Sequence, residues 1–223
     1  MSIKYFFSTK DDGNLAFHTT NNKQSVEENR QKLAQKYGFE NKRLIYMNQT
    51  HGANIEIVDK YSQNLIENCD AIITKNSNLV LMVMVADCIP IVLFDKKQKI
   101  ISVIHAGRNS TFLEISKKTA QIFIEKFKSN PDDLKAIFGP SIQSCCYEVS
   151  PEMATIVEKS FGKSFVNHRN IDLQAINKMQ LNSLGIKNIE ISKICTKCGD
   201  ENYFSYRKDK NAGRFAGVAW IIK

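Results

Sequence analysis

Apolar residues in this chain gather into short blocks, and the densest stretch runs from Leu79 to Gly107. It reads LVLMVMVADCIP, then IVLFDKKQKI, then ISVIHAG. One apolar run ends at Asp87-Cys88, a short run and a lysine-rich turn follow, and another run closes at His105-Ala106-Gly107. Blocks this apolar and β-branched predict strands buried on both faces. Pro90, just after Cys88, predicts a sheet edge or a strand start. A cysteine and a histidine that each close such a run can meet at one end of a sheet, where α/β proteins build sites.

The same pattern places the other elements. Residues 3–9 predict a strand, and the turn cluster 10–14 follows it. Residues 25–37 predict a helix opened by Ser25 and Glu28 at capping-box spacing and closed by Gly38. Strands are predicted at 44–47, 54–58 and 70–74. Beyond Gly107, Ser110 or Thr111 can cap one long helix to about Phe127. A strand is expected at 134–138, then a helix from Pro151 to about Ser160 and another capped by Asp172 through Leu184. Strands at 186–194 and 215–222 complete the chain. Strands joined by short turns, mixed with helices, favour an α/β fold with a mixed sheet or two sheets over a purely parallel one. Nothing marks a linker, so residues 1–223 are expected to form a single domain.

Composition narrows the class. With 43% hydrophobic and 24% charged residues the chain has the make-up of a folded globular protein. No run is long and apolar enough to predict a membrane span or an export signal, so the cytoplasm is the expected compartment and the six cysteines are expected as reduced thiols. The net charge of +8 suits an anionic partner. Its lysines are dispersed and lack the clustering of a nucleic-acid groove, so a phosphate-bearing small substrate is the better match.

Three residues stand out for chemistry. His51 lies in Asn48-Gln49-Thr50-His51-Gly52, where Gly52 permits a tight bend. With Cys88 and His105 it makes a preferred Zn²⁺ donor set that leaves a fourth position open, the pattern of a catalytic site. The same atoms also allow Cys88 to be a nucleophile with His105 as its base. Asp87 would then point to the opposite face from Cys88 if the strand continues through both. Cys195-Thr196-Lys197-Cys198 is half of a zinc or redox motif without an obvious second half, since Cys145 and Cys146 are adjacent; two unrelated thiols are the simpler reading. Arg207 and Arg214 are candidates for gripping phosphate or carboxylate, and Arg108 follows Gly107 at a helix start that favours anions.

Taken together, FFSTKDDG, ENRQKL, NQTHG, DAIIT, VADCIPIVLFD, VIHAG, IFGPSIQSCCYEV and ENYFSYRKDKNAGRFAG, in this order, resemble the YfiH family, whose members are labelled laccase-domain proteins, purine nucleoside phosphorylases or peptidoglycan editing factors. The resemblance implies two packed mixed β-sheets with outer helices, in α/β/β/α layers, similar to the catalytic domain of cytotoxic necrotizing factor. It implies Zn²⁺ held by His51, Cys88 and His105, with Cu²⁺ able to compete there. It further implies phosphorolysis of adenosine, inosine, guanosine or methylthioadenosine, together with adenosine deamination. Purine nucleosides and phosphate are then the partners, with no nucleic acid and no membrane. Lys10, Arg108 and Arg214, with Arg207, are candidates for phosphate or substrate contacts; Asp87 and Arg207 are the candidate catalytic residues, and Asp87 or Glu148 the candidate for proton transfer. The alternative is an amidase-type hydrolase that edits peptidoglycan precursors, with Cys88 as ligand or nucleophile. Two departures matter: Arg108-Asn109-Ser110 stand where the family usually has Trp-Arg-Gly, and Lys10 stands where it usually has Arg. Four histidines, His18, His51, His105 and His168, are too few for a four-copper oxidase.

Overall fold

Strands packed on both faces have no polar side, so their sequences show apolar blocks without alternation. The computed structural model describes residues 2–20, 22–199 and 202–222, which leaves Glu201 of the last family-like segment and both ends of the expected domain outside the described residues. In chain order the strands are β1 (Ser2–Phe7), β2 (Leu44–Met47), β3 (Ile55–Ile57), β4 (Leu65–Ile66), β5 (Ala71–Thr74), β6 (Val80–Val85), β7 (Ile89–Asp95), β8 (Ile100–Ala106), β9 (Leu134–Phe138), β10 (Val166–Asn167), β11 (Asn170–Ile171), β12 (Asn188–Ile191) and β13 (Phe215–Ile222). The helices are α1 (Lys23–Tyr37), α2 (Arg108–Phe112), α3 (Ile115–Glu125), α4 (Pro151–Phe161) and α5 (Leu173–Asn182).

Apart from the antiparallel β10-β11 pair, the strands form a five-stranded sheet, β1-β13-β6-β2-β4, and a six-stranded sheet, β12-β9-β7-β8-β5-β3. Both are mixed: β6 runs parallel to β2 but antiparallel to β13, and β9 runs parallel to β12 but antiparallel to β7. Three apolar clusters fill the three spaces between layers. Leu81, Val83 and Val85 of β6 face Val92 and Phe94 of β7 between the sheets. Val80, Met82 and Met84, on the other face of β6, pack with Leu33 of α1. Ile91 and Leu93 of β7 pack under Phe123 of α3, Val157 of α4 and Ile176 of α5. The expected α/β/β/α layering is therefore present, with α1 on one side and α2–α5 on the other.

Some local expectations change. Asn22 caps α1 by accepting from the Ser25 amide, so the helix starts before Ser25. The single helix expected after Gly107 is two, because Glu114 is left-handed at φ 59°. Gly107 caps α2, and Thr111 lies inside it, where Asn177 and Gln180 of α5 donate to its hydroxyl and carbonyl oxygens. Pro90 is near the start of β7 but not at an edge, since β7 lies between β8 and β9. His105, opposite Pro90, sends its amide to the Asp70 carbonyl and needs no donor from the proline.

This topology builds one functional end. The chain crosses from the smaller sheet to the larger three times, between β2 and β3, between β4 and β5 and between β6 and β7. The first crossing carries His51, the second Asp70, and the third Asp87 and Cys88. β8 ends there with His105, and β5 begins there after Asp70.

Candidate functional site

Asp70, with no exposed surface, organises the loop that carries His51. Its Oδ1 accepts from the His51 amide at 3.0 Å, and its Oδ2 from the Gly52 amide at 2.8 Å and the Thr50 hydroxyl at 3.1 Å. These bonds hold His51 itself, rather than Gly52, in the left-handed region at φ 57°. Gln49 fixes the other side of the loop: its side-chain amide donates to the Met84 carbonyl at 2.8 Å and accepts the Met84 amide at 2.9 Å, imitating a strand partner.

Asp70 Oδ1 also meets His105 Nδ1 at 2.8 Å. That bond leaves His105 Nε2 to face the site, the arrangement in which a carboxylate orients a metal-binding imidazole. The ligand atoms of His51, Cys88 and His105 lie within 4.8 Å of one another, with Cys88 Sγ 3.9 Å from His51 Nε2. Burial pushes the Cys88 thiol up, but His105 and His51 outweigh it and bring the thiol down to about 6. Burial pushes His105 down, while Cys88 and Asp70 raise it to about 9. Burial likewise pushes the Asp70 carboxyl up, and His105 with the loop amides brings it below the usual range. Without a cation the site thus favours a thiolate–imidazolium pair; a cation bound by the same atoms would displace the His105 proton. A Cβ on Gly107 would lie 3.0 Å from Cys88 Sγ and 3.0 Å from His51 Cδ2, so any side chain there would crowd two of the three donors and make them shift by a few tenths of an ångström. The donor set and its carboxylate support fit a metal with an open fourth position.

The three donors line a cleft of about 530 Å³. Arg108, Arg207 and Arg214 also line it, while Lys10, the other expected phosphate or substrate contact, lies outside its lining. Arg207 sits over the Tyr147 ring at 4.9 Å and donates to the Glu148 carbonyl at 2.9 Å. Arg214 is anchored by the Ala212 carbonyl at 2.6 Å. Asp87 does not continue the strand: it is left-handed at φ 90°. Its Oδ1 accepts the Thr196 hydroxyl at 2.7 Å and its Oδ2 the Arg207 amide at 2.7 Å, so the carboxylate serves as a brace. Glu148 is paired with Arg169 and is not in the cleft lining.

Asp70, Gln49, His18, Asn109, Tyr147 and Tyr206 were not singled out as site residues by sequence. Only Asp70 carried a signal, as a carboxylate directly before a buried strand. Cys145, Cys146, Cys195 and Cys198, expected as unrelated thiols, instead lie together outside the cleft, with their sulfurs within 4.8 Å of one another.

The sequence matches, over residues 5–222, the family model described as "Multi-copper polyphenol oxidoreductase laccase". A purine nucleoside phosphorylase of Clostridium acetobutylicum is 34% identical over 224 residues, which cover 98% of this chain and 91% of that protein. A purine nucleoside phosphorylase of Mycobacterium tuberculosis strain H37Rv is 31% identical over 212 residues, 93% of this chain and 84% of that one. The fold is shared with YlmD from Geobacillus stearothermophilus, at a TM-score of 0.92, 23% identity and coverage of 99% and 92% of the two chains. It is shared too with the Bacillus licheniformis protein YfiH, at a TM-score of 0.89, 25% identity and coverage of 99% and 93%.

Proposed function

The chain belongs to the multi-copper polyphenol oxidoreductase laccase family, and from that premise we propose that it is a metal-dependent purine nucleoside phosphorylase. It splits adenosine, inosine, guanosine or methylthioadenosine with phosphate, giving the free base and the corresponding ribose 1-phosphate, and it also deaminates adenosine. The observation that carries this reading is the meeting of His51, Cys88 and His105 in a cleft whose walls bear three arginines. The names of the relatives direct it to purine nucleosides.

The ion in this reading is Zn²⁺, for which Cu²⁺ competes at the same donors. When bound, it supplies Lewis-acid stabilisation of developing negative charge. The protein's own groups do the rest. Arg108, Arg207 and Arg214 attract phosphate and hold it in the cleft. Tyr147 and Tyr206 offer aromatic faces to the purine. Asp70 keeps both histidines in place, and Asp87 keeps Arg207 and Thr196 in place. The multi-copper label does not fit the donors: of four histidines in the sequence, only His51 and His105 belong to a group able to hold a metal among the described residues. No helix among the described residues is long and apolar enough to cross a membrane.

One observation favours a second reading. Cys88, His105 and Asp70 also form a cysteine–histidine–carboxylate series, with the thiol already lowered to about 6. Such a series suits an amidase that attacks through sulfur. Mass spectrometry of adenosine products, with and without phosphate, separates the two when run on the wild type and Cys88→Ala with metal content measured. Base and ribose 1-phosphate only with phosphate, and loss of both cleft metal and turnover in Cys88→Ala, support the phosphorylase. Intact adenosine refutes it. A variant that keeps its metal but loses turnover assigns Cys88 as nucleophile.

A further inference from the structure

Cys145 and Cys146 lie in a tight turn in which the amides of Cys146 and Tyr147 both donate to the Gln143 carbonyl at 2.9 Å. Cys195 and Cys198 lie in a second turn, closed by the Gly199 amide on the Cys195 carbonyl at 2.8 Å. An isolated parallel bridge, Ser141 with Cys195, fixes the two turns against each other. The result is four sulfurs within 4.8 Å of one another, with Cys145 and Cys198 3.5 Å apart. A tetrahedral zinc site with Zn–S bonds of about 2.3 Å sets its sulfurs about 3.8 Å apart.

We propose that Cys145, Cys146, Cys195 and Cys198 form a second metal site, a closed tetrathiolate that binds one Zn²⁺ and clamps the two turns together. None of its sulfurs lines the cleft. Two features point to thiolate ligation. The Gln143 amide is aimed at Cys195 Sγ at 3.5 Å, the kind of donor that stabilises a metal-bound sulfur. Gly199, directly after the second cysteine, cannot be replaced freely: a Cβ there would fall 2.6 Å from the Cys195 carbonyl oxygen. With all four positions taken by sulfur, the site has no place for substrate and is structural.

The clamp has a direct line to the cleft. Thr196, between Cys195 and Cys198, is buried and donates to Asp87, which in turn receives the Arg207 amide. The turn that carries Cys145 and Cys146 continues into Tyr147, the ring beneath Arg207. Zinc in the clamp would hold that wall of the cleft in shape.

The test is zinc content per chain after loading the reduced full-length protein with Zn²⁺ and desalting. His51→Ala/Cys88→Ala, which removes the cleft donors, is expected to retain one zinc, and Cys195→Ser/Cys198→Ser is expected to lose one relative to wild type. If the latter variant fails to fold, the wild type carries the test. Exposed Cys145 and Cys198 are expected to resist N-ethylmaleimide with zinc bound and to react at least tenfold faster after chelation. A zinc-free His51→Ala/Cys88→Ala protein would overturn the proposal. So would alkylation of Cys145 and Cys198 that is indifferent to chelator, or a Cys145–Cys198 disulfide in protein prepared without oxidant.

Discussion

His51, Cys88 and His105 come from separate places at the end of two sheets, whereas Cys145, Cys146, Cys195 and Cys198 come from two turns. The first group mixes imidazole with sulfur, sits under a cleft and has a buried carboxylate behind it. The second is all sulfur, has backbone amides behind it and includes two exposed members. The difference follows from what each surrounding can supply. Strand ends from two sheets leave a gap between them, so three donors can converge with space for a substrate. Two turns locked by one bridge close on themselves, and four donors use all the space. An open site can do chemistry; a closed one can hold shape.

The comparison breaks most visibly at Cys88. Cys88→Ala is expected to bring nucleoside turnover down to the no-enzyme control and to empty the cleft, while the zinc assigned to the four-cysteine clamp stays. Metal analysis beside a phosphate-dependent product assay reads both effects. Loss of both metals at once would mean that the two clusters are not separate sites. A smaller loss is expected from Asp70→Asn, which keeps the size of the side chain but weakens its hold on His105 and the His51 loop. Metal affinity at the cleft should fall about 10–100-fold, measured by competition with a chelating dye, with the clamp unchanged.

The strands were legible because burial on both faces left uninterrupted apolar blocks, and β2, β9 and β13 begin and end where those blocks do. The two-residue strands β4, β10 and β11 carry too few residues to show any period. The break at Glu114 could not be read because it depends on α5, whose Asn177 and Gln180 hold Thr111 in the short helix before it. The His51, Cys88 and His105 grouping was legible because each ends or follows an apolar block. Asp70 was harder: its role consists of bonds to amides and an imidazole, and those are contacts made by folding. The cysteine cluster was misread for a similar reason. Adjacent Cys145 and Cys146 look unsuited to one ion in a linear sequence, and only the Ser141–Cys195 bridge brings them to Cys195 and Cys198.

Arg207 tests the cleft wall that both regions share. Its side chain bonds the Glu148 carbonyl and covers Tyr147, and its amide bonds Asp87. Arg207→Ala keeps the amide and removes the charge. The KM for phosphate is expected to rise about tenfold, the cost of one charge-assisted hydrogen bond, with kcat changed less. Steady-state kinetics at varied phosphate decides it, and an unchanged KM would remove Arg207 from phosphate binding. Arg207→Lys should recover only part of the loss, because lysine keeps the charge without the planar fork.

The smallest expected effect is a nearly flat line, and it distinguishes the sulfurs themselves. Alkylation requires thiolate, so its rate follows the ionised fraction. In metal-free protein Cys88, lowered to about 6, is already mostly ionised at neutral pH. Its rate with iodoacetamide should rise less than about twofold from pH 7 to pH 9, whereas an ordinary thiol of pKa near 8.5 rises roughly twentyfold. Cys69, buried and pushed up to about 11, should stay unmodified throughout. Cys195, at about 7, should resemble Cys88 in slope but react more slowly, because little of it is exposed. Peptide mapping by mass spectrometry resolves the sites in a single series. A steep rise at Cys88 would mean that its sulfur is not paired with His105 in the metal-free protein. The cleft would then have to wait for its metal before the thiolate forms.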